Sequence, residues 1–150
     1  MTRLIPVLVL LLLLPFGAAG QEPAFDTAAL VVETASGAHA FTVEMAVSPR
    51  QRERGLQYRE SLAADSGMLF DFGFDRVASM WMKNTLISLD MVFIDRWGRV
   101  VTIARDTPPR SLDIISSRRP VRAVLELNAG TATAIGLKTG DRVRHGMFEN

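Results

Sequence analysis

Apolar residues recur at every second position in one short run after another, with turn-forming residues between the runs. Ala29 to Thr34 and His39 to Ala46, the latter with Phe41, Val43 and Met45 on one face, flank Ser36 and Gly37 and read as a hairpin. Met68 to Phe70 is a short apolar strand that follows the turn residues Asp65, Ser66 and Gly67. Leu89, Met91 and Phe93 share one face of a strand, and the Asp95 to Gly98 turn returns it into Arg99 to Ala104, where Val101 and Ile103 alternate. Val121, Ala123, Leu125 and Leu127 mark another strand, and a last one follows the turn at Gly140 and Asp141.

Helical signals are confined to two places. Ser48 as cap, Pro49 at the first helical position and Gln51 three residues after the cap predict a short helix from Pro49 to about Tyr58, in which Gly55 marks an early end or a close backbone approach. Asn128 is placed to cap a second, from about Ala129 to Ile135, with Gly136 as its stop. The expected fold is α+β and mainly β, a small barrel-like sheet of about six to eight strands with two short helices, because closing the sheet hides its edges. Asp71 to Asp75 is expected to be a loop that tucks Phe72 and Phe74 inward, and Arg105 to Pro120, with Pro108, Pro109 and Pro120, an exposed loop without regular structure. Strand, helix, glycine and strand recur in the same order after His39 and after Val121, which suggests two units related by an approximate two-fold axis.

The N-terminus is a separate object. Arg3, the apolar run Leu4 to Phe16 and the small residues Gly17 to Gly20 read as a signal peptide over residues 1–20, too short to span a bilayer comfortably; an uncleaved anchor is the rival. A flexible lead over 21–28 and a single globular domain over 29–150 complete the expected organisation, and the implied localisation is periplasmic or secreted. Cleavage removes one charge, Arg3, and takes the formal balance from +1 to zero, which argues against a nucleic-acid partner. The chain has no cysteine, so thiolate chemistry, disulfides and zinc-thiolate sites are excluded, and its two histidines are too few for a histidine-led metal centre.

Chemistry concentrates between Met80 and Asp95. Trp81, Lys83, Asn84 and Thr85 stand between a methionine-rich cluster and an apolar run, and Asp90 is sunk into that run. A buried polar group left unpaired costs roughly 1 to 3 kcal/mol, and an ion more, so these side chains must meet each other or a ligand. Lys83 is expected to pair with Asp90, with Asn84 and Thr85 closing the network. Arg54, on the arginine-rich face of the first helix, is either an anion contact or a solvated charge. Asp65 reads as a turn-setting residue and Glu126 as a strand residue that points to water or joins an acid pair.

Gly67 to Phe70, then Trp81, Met82, Lys83, Asn84 and Thr85 followed by Leu89 and Asp90, resemble the exported bacterial and archaeal family catalogued as domain of unknown function 192. Arg54 to Leu56, the Asp95 to Gly98 turn, Leu125, Glu126, Ala129, Gly130, Gly140 and Asp141 extend the likeness over about 41–143, with departures at Gln57, where methionine is usual, and Ser88, where proline is usual. The resemblance implies a single exported β-rich domain and brings no reaction, ligand or catalytic residues.

Three functions fit these residues. The first is an exported non-catalytic domain that binds a polar small molecule, a carbohydrate for example, or an envelope protein partner, through Trp81, Lys83, Asn84, Thr85, Asp90, Arg54, Asp65 and Glu126, without a cofactor. In it, Trp81, Trp97 or Tyr58 supplies the flat apolar wall. The second is a small hydrolase of envelope carbohydrate that uses carboxylates among Asp65, Asp90 and Glu126, or Lys83 with Ser66 or Ser79. The third, oxygen-only cation binding by Asp65, Asp90 and Glu126, requires those three to converge. A membrane contact is expected only through the signal segment, if that is retained.

Overall fold

A computed structural model of the chain describes residues 22–148, so the signal segment lies outside the described residues. Seven strands form one sheet: β1 (Thr27–Thr34), β2 (Gly37–Ala46), β3 (Ser66–Met80), β4 (Leu89–Ile94), β5 (Val100–Thr107), β6 (Ile115–Asn128) and β7 (Arg142–Arg144). Two short helices, α1 (Pro49–Arg54) and α2 (Thr131–Ala134), interrupt the strand succession. The mainly β, barrel-like sheet with two short helices is therefore observed.

The spatial order is β5-β4-β6-β3-β2-β1-β7, antiparallel except for β2 beside β3, whose parallel connection runs through α1. The sheet curls until its two edges meet at an antiparallel bridge between Arg99 and Arg142. Val143 N–H donates to the Gly98 carbonyl at 2.7 Å and Val100 N–H to the Asp141 carbonyl at 2.9 Å. Gly98 is needed at this seam: it has a φ of +80°, and a Cβ there would lie 2.4 Å from the Val143 carbonyl oxygen. The suggested two-fold echo does not hold, because β2 and β3 are neighbours whereas β7 pairs with β1 and lies away from β6.

Two apolar clusters share the sheet between them. All seven strands send side chains to the inner face, including Leu30, Val43, Leu69, Val92, Leu125 and Val143. A second cluster lies on the outer face of β3, β6 and β4, where Met68, Phe70, Met91, Phe93 and Val124 are covered by Leu56 and Met82. With both faces covered, every residue of β4 is buried, which explains its near-continuous apolar run.

Of the two expected loops, Asp71–Asp75 is strand, and Arg105–Pro120 is strand at both ends with only 108–114 irregular between them. β3 continues through Asp71–Asp75, taking five steps from Asp71 to Arg76 where β6 takes two from Ala123 to Val121. The extra residues bulge outward, so Phe74 is 65% exposed instead of tucked in, while Phe72 is half-buried beneath Arg76. β6 likewise starts at Ile115 and includes Pro120 opposite Val77, between two register shifts. There Ser117 substitutes for the ladder, its hydroxyl accepting from Ala78 N–H at 2.9 Å and donating to the Arg119 carbonyl at 2.7 Å.

α1 has the expected capping box between Ser48 and Gln51 but ends at Gly55, short of Tyr58. The lead residues 22–26 are tied to it and to β2: Gln51 Nε2 donates to the Ala24 carbonyl at 2.7 Å, and Met45 N–H to that of Asp26 at 2.8 Å. α2 starts after Gly130, and the expected cap, Asn128, instead donates to the Leu62 and Ala63 carbonyls.

The missing cap is supplied from β4. Asp90 is fully buried on the inner side; its Oδ2 accepts from Ala132 N–H at 2.8 Å and its Oδ1 from Asp106 N–H at 2.9 Å. Asp106 has a φ of +48° at the bulge where β5 slips against β4. Replacing Asp90 with alanine strands two amides and removes two hydrogen bonds to a carboxylate, so Asp90→Ala should lower unfolding free energy by about 2 to 4 kcal/mol in urea denaturation. Asp90→Asn, which keeps one acceptor, should lose less.

Candidate functional site

An open cleft of about 240 Å³ lies on the outer face of the sheet. Its walls come from α1 and the residues after it (Arg52, Glu53, Arg54, Gly55), from β3 (Phe70, Phe72, Arg76, Ser79) and from the segment after β3 (Trp81, Lys83, Thr85). Glu126 of β6 contributes to the floor. Gly55 lets α1 sit close to β3: a Cβ there would meet the Phe70 ring at 3.1 Å, so the absent side chain is part of the opening.

Glu126 does not point to water. Alternation along β6 sends Leu125 and Leu127 inward and places Glu126 on the outer side with Val124, paired in register with Met68 of β3 and Met91 of β4. It is 4% exposed, and no hydrogen bond reaches its carboxyl group among the described residues. Burial without a compensating partner pushes its pKa up from 4.5 to about 8, so the group is mostly the neutral acid at pH 7.

The cations around it differ in how they are held. Arg52 donates to the carbonyls of Val47 and Asp71, the latter at 2.9 Å. Arg54 pairs with Glu22 at 3.0 Å and stacks over Tyr58 at 4.7 Å. Arg76 lies over the Phe72 ring at 5.5 Å, and Lys83 Nζ over the Trp81 ring at 5.2 Å; neither makes an ion pair among the described residues. Nearby, Asp71 is partly buried, which raises its pKa, but hydrogen bonds from Arg122 and Gly73 N–H and the charges of Arg122 and Arg52 hold it below the usual carboxylate value.

Of the residues singled out in the sequence, Arg54, Trp81, Lys83, Thr85 and Glu126 line this cleft. Asn84 stands beside it, with a φ of +57° and its Nδ2 donating to the Tyr58 hydroxyl at 2.8 Å. Asp90 lies on the opposite face of the sheet, engaged by backbone amides, so the expected Lys83–Asp90 pair is not formed. Asp65 is exposed in the turn before β3, where its carbonyl, not its carboxylate, binds Thr42 N–H. Asp65, Asp90 and Glu126 therefore do not converge, and no group of three metal-binding side chains occurs among the described residues. Trp97 lines a separate hollow with Arg142 and His145, and Ser66 is likewise remote, whereas Ser79 shares the cleft with Lys83.

Arg52 belongs to the arginine-rich helix face already weighed as an anion contact, whereas sequence reasoning missed Arg76. Arg76 follows directly on the stretch Asp71 to Asp75 read as loop, and the alternation of Phe70, Phe72 and Phe74 was the signal that β3 continued toward it.

The fold and site define a class: a curled single-sheet β domain with a cation-rimmed cleft over a buried acid on its outer face. The chain belongs to the family of domain of unknown function 192, described as an uncharacterized ACR, whose profile matches residues 31–145. A protein from Sinorhizobium meliloti 1021, described provisionally as a transcription regulator, is 50% identical and superposes with a TM-score of 0.80 over 83% of this chain and 97% of its own. A protein of unknown function from Novosphingobium aromaticivorans DSM 12444 is 34% identical, with a TM-score of 0.77 over 79% of this chain and 85% of its own. No protein with a curated description matches the chain.

Two outcomes follow from the geometry. Because Lys83 is exposed and stacks on Trp81 instead of neutralising a buried carboxylate, Lys83→Ala should change stability by less than about 1 kcal/mol in thermal or urea melts. Glu126 gives stability a pH dependence of the opposite sign to an ordinary carboxylate. Between pH 4.5 and about 8 the unfolded chain has lost this proton and the folded chain keeps it, so stability falls as pH rises through that window. The full effect is on the order of 5 kcal/mol at about 1.4 kcal/mol per pK unit. Urea midpoints measured from pH 5 to pH 8 should fall further in the parent than in Glu126→Gln; the difference isolates Glu126 from His145, whose pKa burial lowers and which makes stability rise with pH up to about 6.5, while the lowered pKa of Asp71 acts below this window.

Proposed function

We propose that the protein is an exported, non-catalytic binding domain that takes one polar small molecule, of the size of a single sugar residue, in the outer cleft. The observation that carries this reading is Glu126, a buried acid without a protein partner at the floor of an open, half-apolar hollow. No fully buried side-chain oxygen or nitrogen lacks a partner among the described residues, so the Glu126 carboxyl group keeps access to the cleft, where a ligand hydroxyl or anionic oxygen can replace solvent beside it. Trp81, 46% exposed on the rim, offers a flat apolar face, and Arg76 and Lys83 offer directed donors. A volume of about 240 Å³ is just under the roughly 300 to 1,000 Å³ usual for ligand sites, which favours a monosaccharide-sized guest over an oligomer.

Export rests on the apolar, small-residue-terminated start of the sequence. Binding is favoured over hydrolysis because the acids first considered as partners of Glu126, Asp65 and Asp90, lie elsewhere, the other carboxylate of the cleft, Glu53, is exposed, and Lys83 Nζ rests over the Trp81 ring without a hydrogen bond to Ser79.

Titration of the ¹⁵N-labelled protein with neutral and acidic monosaccharides of the cell envelope tests the reading. Shifts should concentrate on the Trp81 indole, Gly55 and Lys83, and Trp81→Ala should weaken them at least about fivefold, the equivalent of roughly 1 kcal/mol. Shifts confined to the Trp97 hollow, or sugar consumed during the titration, would count against it.

A further inference from the structure

Trp81 and the arginines would suffice for a neutral sugar, so the binding reading alone leaves the acid at the floor unexplained. Resting on that reading, we propose that the ligand carries a carboxylate, which Glu126 receives as a proton donor while Arg76 and Lys83 neutralise its charge.

The argument starts from what the cleft can offer. An acid exposed at a sugar site is ordinarily ionised and accepts hydrogen bonds from hydroxyls. Glu126 instead sits among Met68, Met91 and Phe70, with no hydrogen bond to stabilise an anion. Burial keeps the proton on it up to about pH 8, so near neutrality it presents an O–H donor. The partner that gains most from a neutral acid is an oxygen that only accepts: a carboxylate forms a short, charge-assisted O–H···O⁻ bond with it, about twice as strong as a neutral one.

The charges facing the acid agree with this. α1 contributes Arg52, Glu53 and Arg54, β3 contributes Arg76, the segment after β3 contributes Lys83, and β4 contributes no charged side chain to the lining. Arg52 is spent on two backbone carbonyls and Arg54 on Glu22. Arg76 and Lys83 rest only on aromatic rings, an arrangement that holds a cation in place without neutralising it. With Glu126 protonated, the cleft has a cationic rim, a donor at its floor and a single carboxylate, Glu53, at its edge. No bond to carbon changes; the proton is shared between two carboxyl groups and returns to Glu126 when the ligand leaves.

Calorimetric titration of the full domain with sodium glucuronate, glucose and glucose 6-phosphate, at pH 6 and pH 9 and constant ionic strength, decides the matter. Glucuronate should bind at least tenfold more tightly than glucose at pH 6. Its affinity should fall about tenfold by pH 9, the fraction of Glu126 still protonated there for a midpoint near 8. Glu126→Gln keeps a donor but not the titration, so it should bind glucuronate at pH 6 and lose nothing at pH 9. Arg76→Ala should weaken glucuronate more than glucose. Should Glu126→Gln misfold, the ¹³C carboxyl resonance of Glu126 in the parent serves instead: glucuronate should raise its titration midpoint, and an unmoved midpoint overturns the assignment. Equal binding of glucose and glucuronate, or tighter binding of the phosphate, overturns the carboxylate while leaving the cleft as a binding site; no binding by any of the three overturns both.

Discussion

Asp90 ties β4 to two points that the strand ladder leaves open, the β5 bulge and the start of α2. Its two oxygens accept from Asp106 N–H on the β5 bulge and from Ala132 N–H at the start of α2, so one buried side chain fixes a strand irregularity and a helix entry together. Neither has a local remedy. Asp106 has a left-handed backbone at the point where the ladder slips, and α2 begins at a glycine with no side chain to cap it. A buried carboxylate is costly unless every acceptor is used, and here backbone donors use both oxygens, which anchors the β6–α2 junction against β4.

One register step away, the opposite solution is found. Asp90 pairs with Leu127 and Met91 with Glu126, so the two acids stand on adjacent strands and point to opposite faces. Asp90 looks inward and is satisfied by the fold; Glu126 looks outward into methionines and phenylalanine and is not. Since β4 and β6 are covered on both faces, the alternation of side chains alone decides which acid becomes scaffold and which becomes available for chemistry.

Much of this architecture could be read from the residues because period-two patterns survive wherever one face of a strand is buried, as in β1 and β2; in β5 a register shift instead sets Val101 and Ile103 against opposite clusters, so the alternation expected there does not hold. The Ser48–Gln51 capping box and the Asp95–Gly98 turn were equally legible, since their hydrogen bonds are local: Asp95 Oδ1 accepts from Trp97 and Arg99 N–H, both at 2.9 Å. What escaped notice was non-local. The bulge in β3 and the proline in β6 excuse each other, because the ladder slips where Pro120 has no N–H to give, and neither strand reveals this by itself. The stretch around Trp81 was rightly singled out as a place where chemistry collects, but the choice of partner for its lysine depended on which face of β4 Asp90 occupies. That is set by pairing with Leu127 of β6, far along the chain, and by the helix that follows it.

The cleft itself exists because β3 and β6 are longer than their neighbours. β4 spans only Leu89–Ile94, whereas β3 and β6 extend to Met80 and back to Ile115, which carries a two-stranded extension past the end of the barrel-like part. The chain leaving that extension turns back over the sheet, with Met82 N–H donating to the Ser111 carbonyl at 3.0 Å and Arg110 N–H to that of Thr85 at 3.0 Å. Met82 is thereby buried against the outer face while its neighbours Trp81 and Lys83 remain on the rim. Across the gap, α1 is held short by Gly55, so the space between helix and returning chain stays open above Glu126. A longer helix or a larger residue at position 55 would press on Phe70 and close that space. The buried acid and the opening above it are therefore set by separate features of the fold, strand register for one and helix length for the other, and both converge on the same cleft.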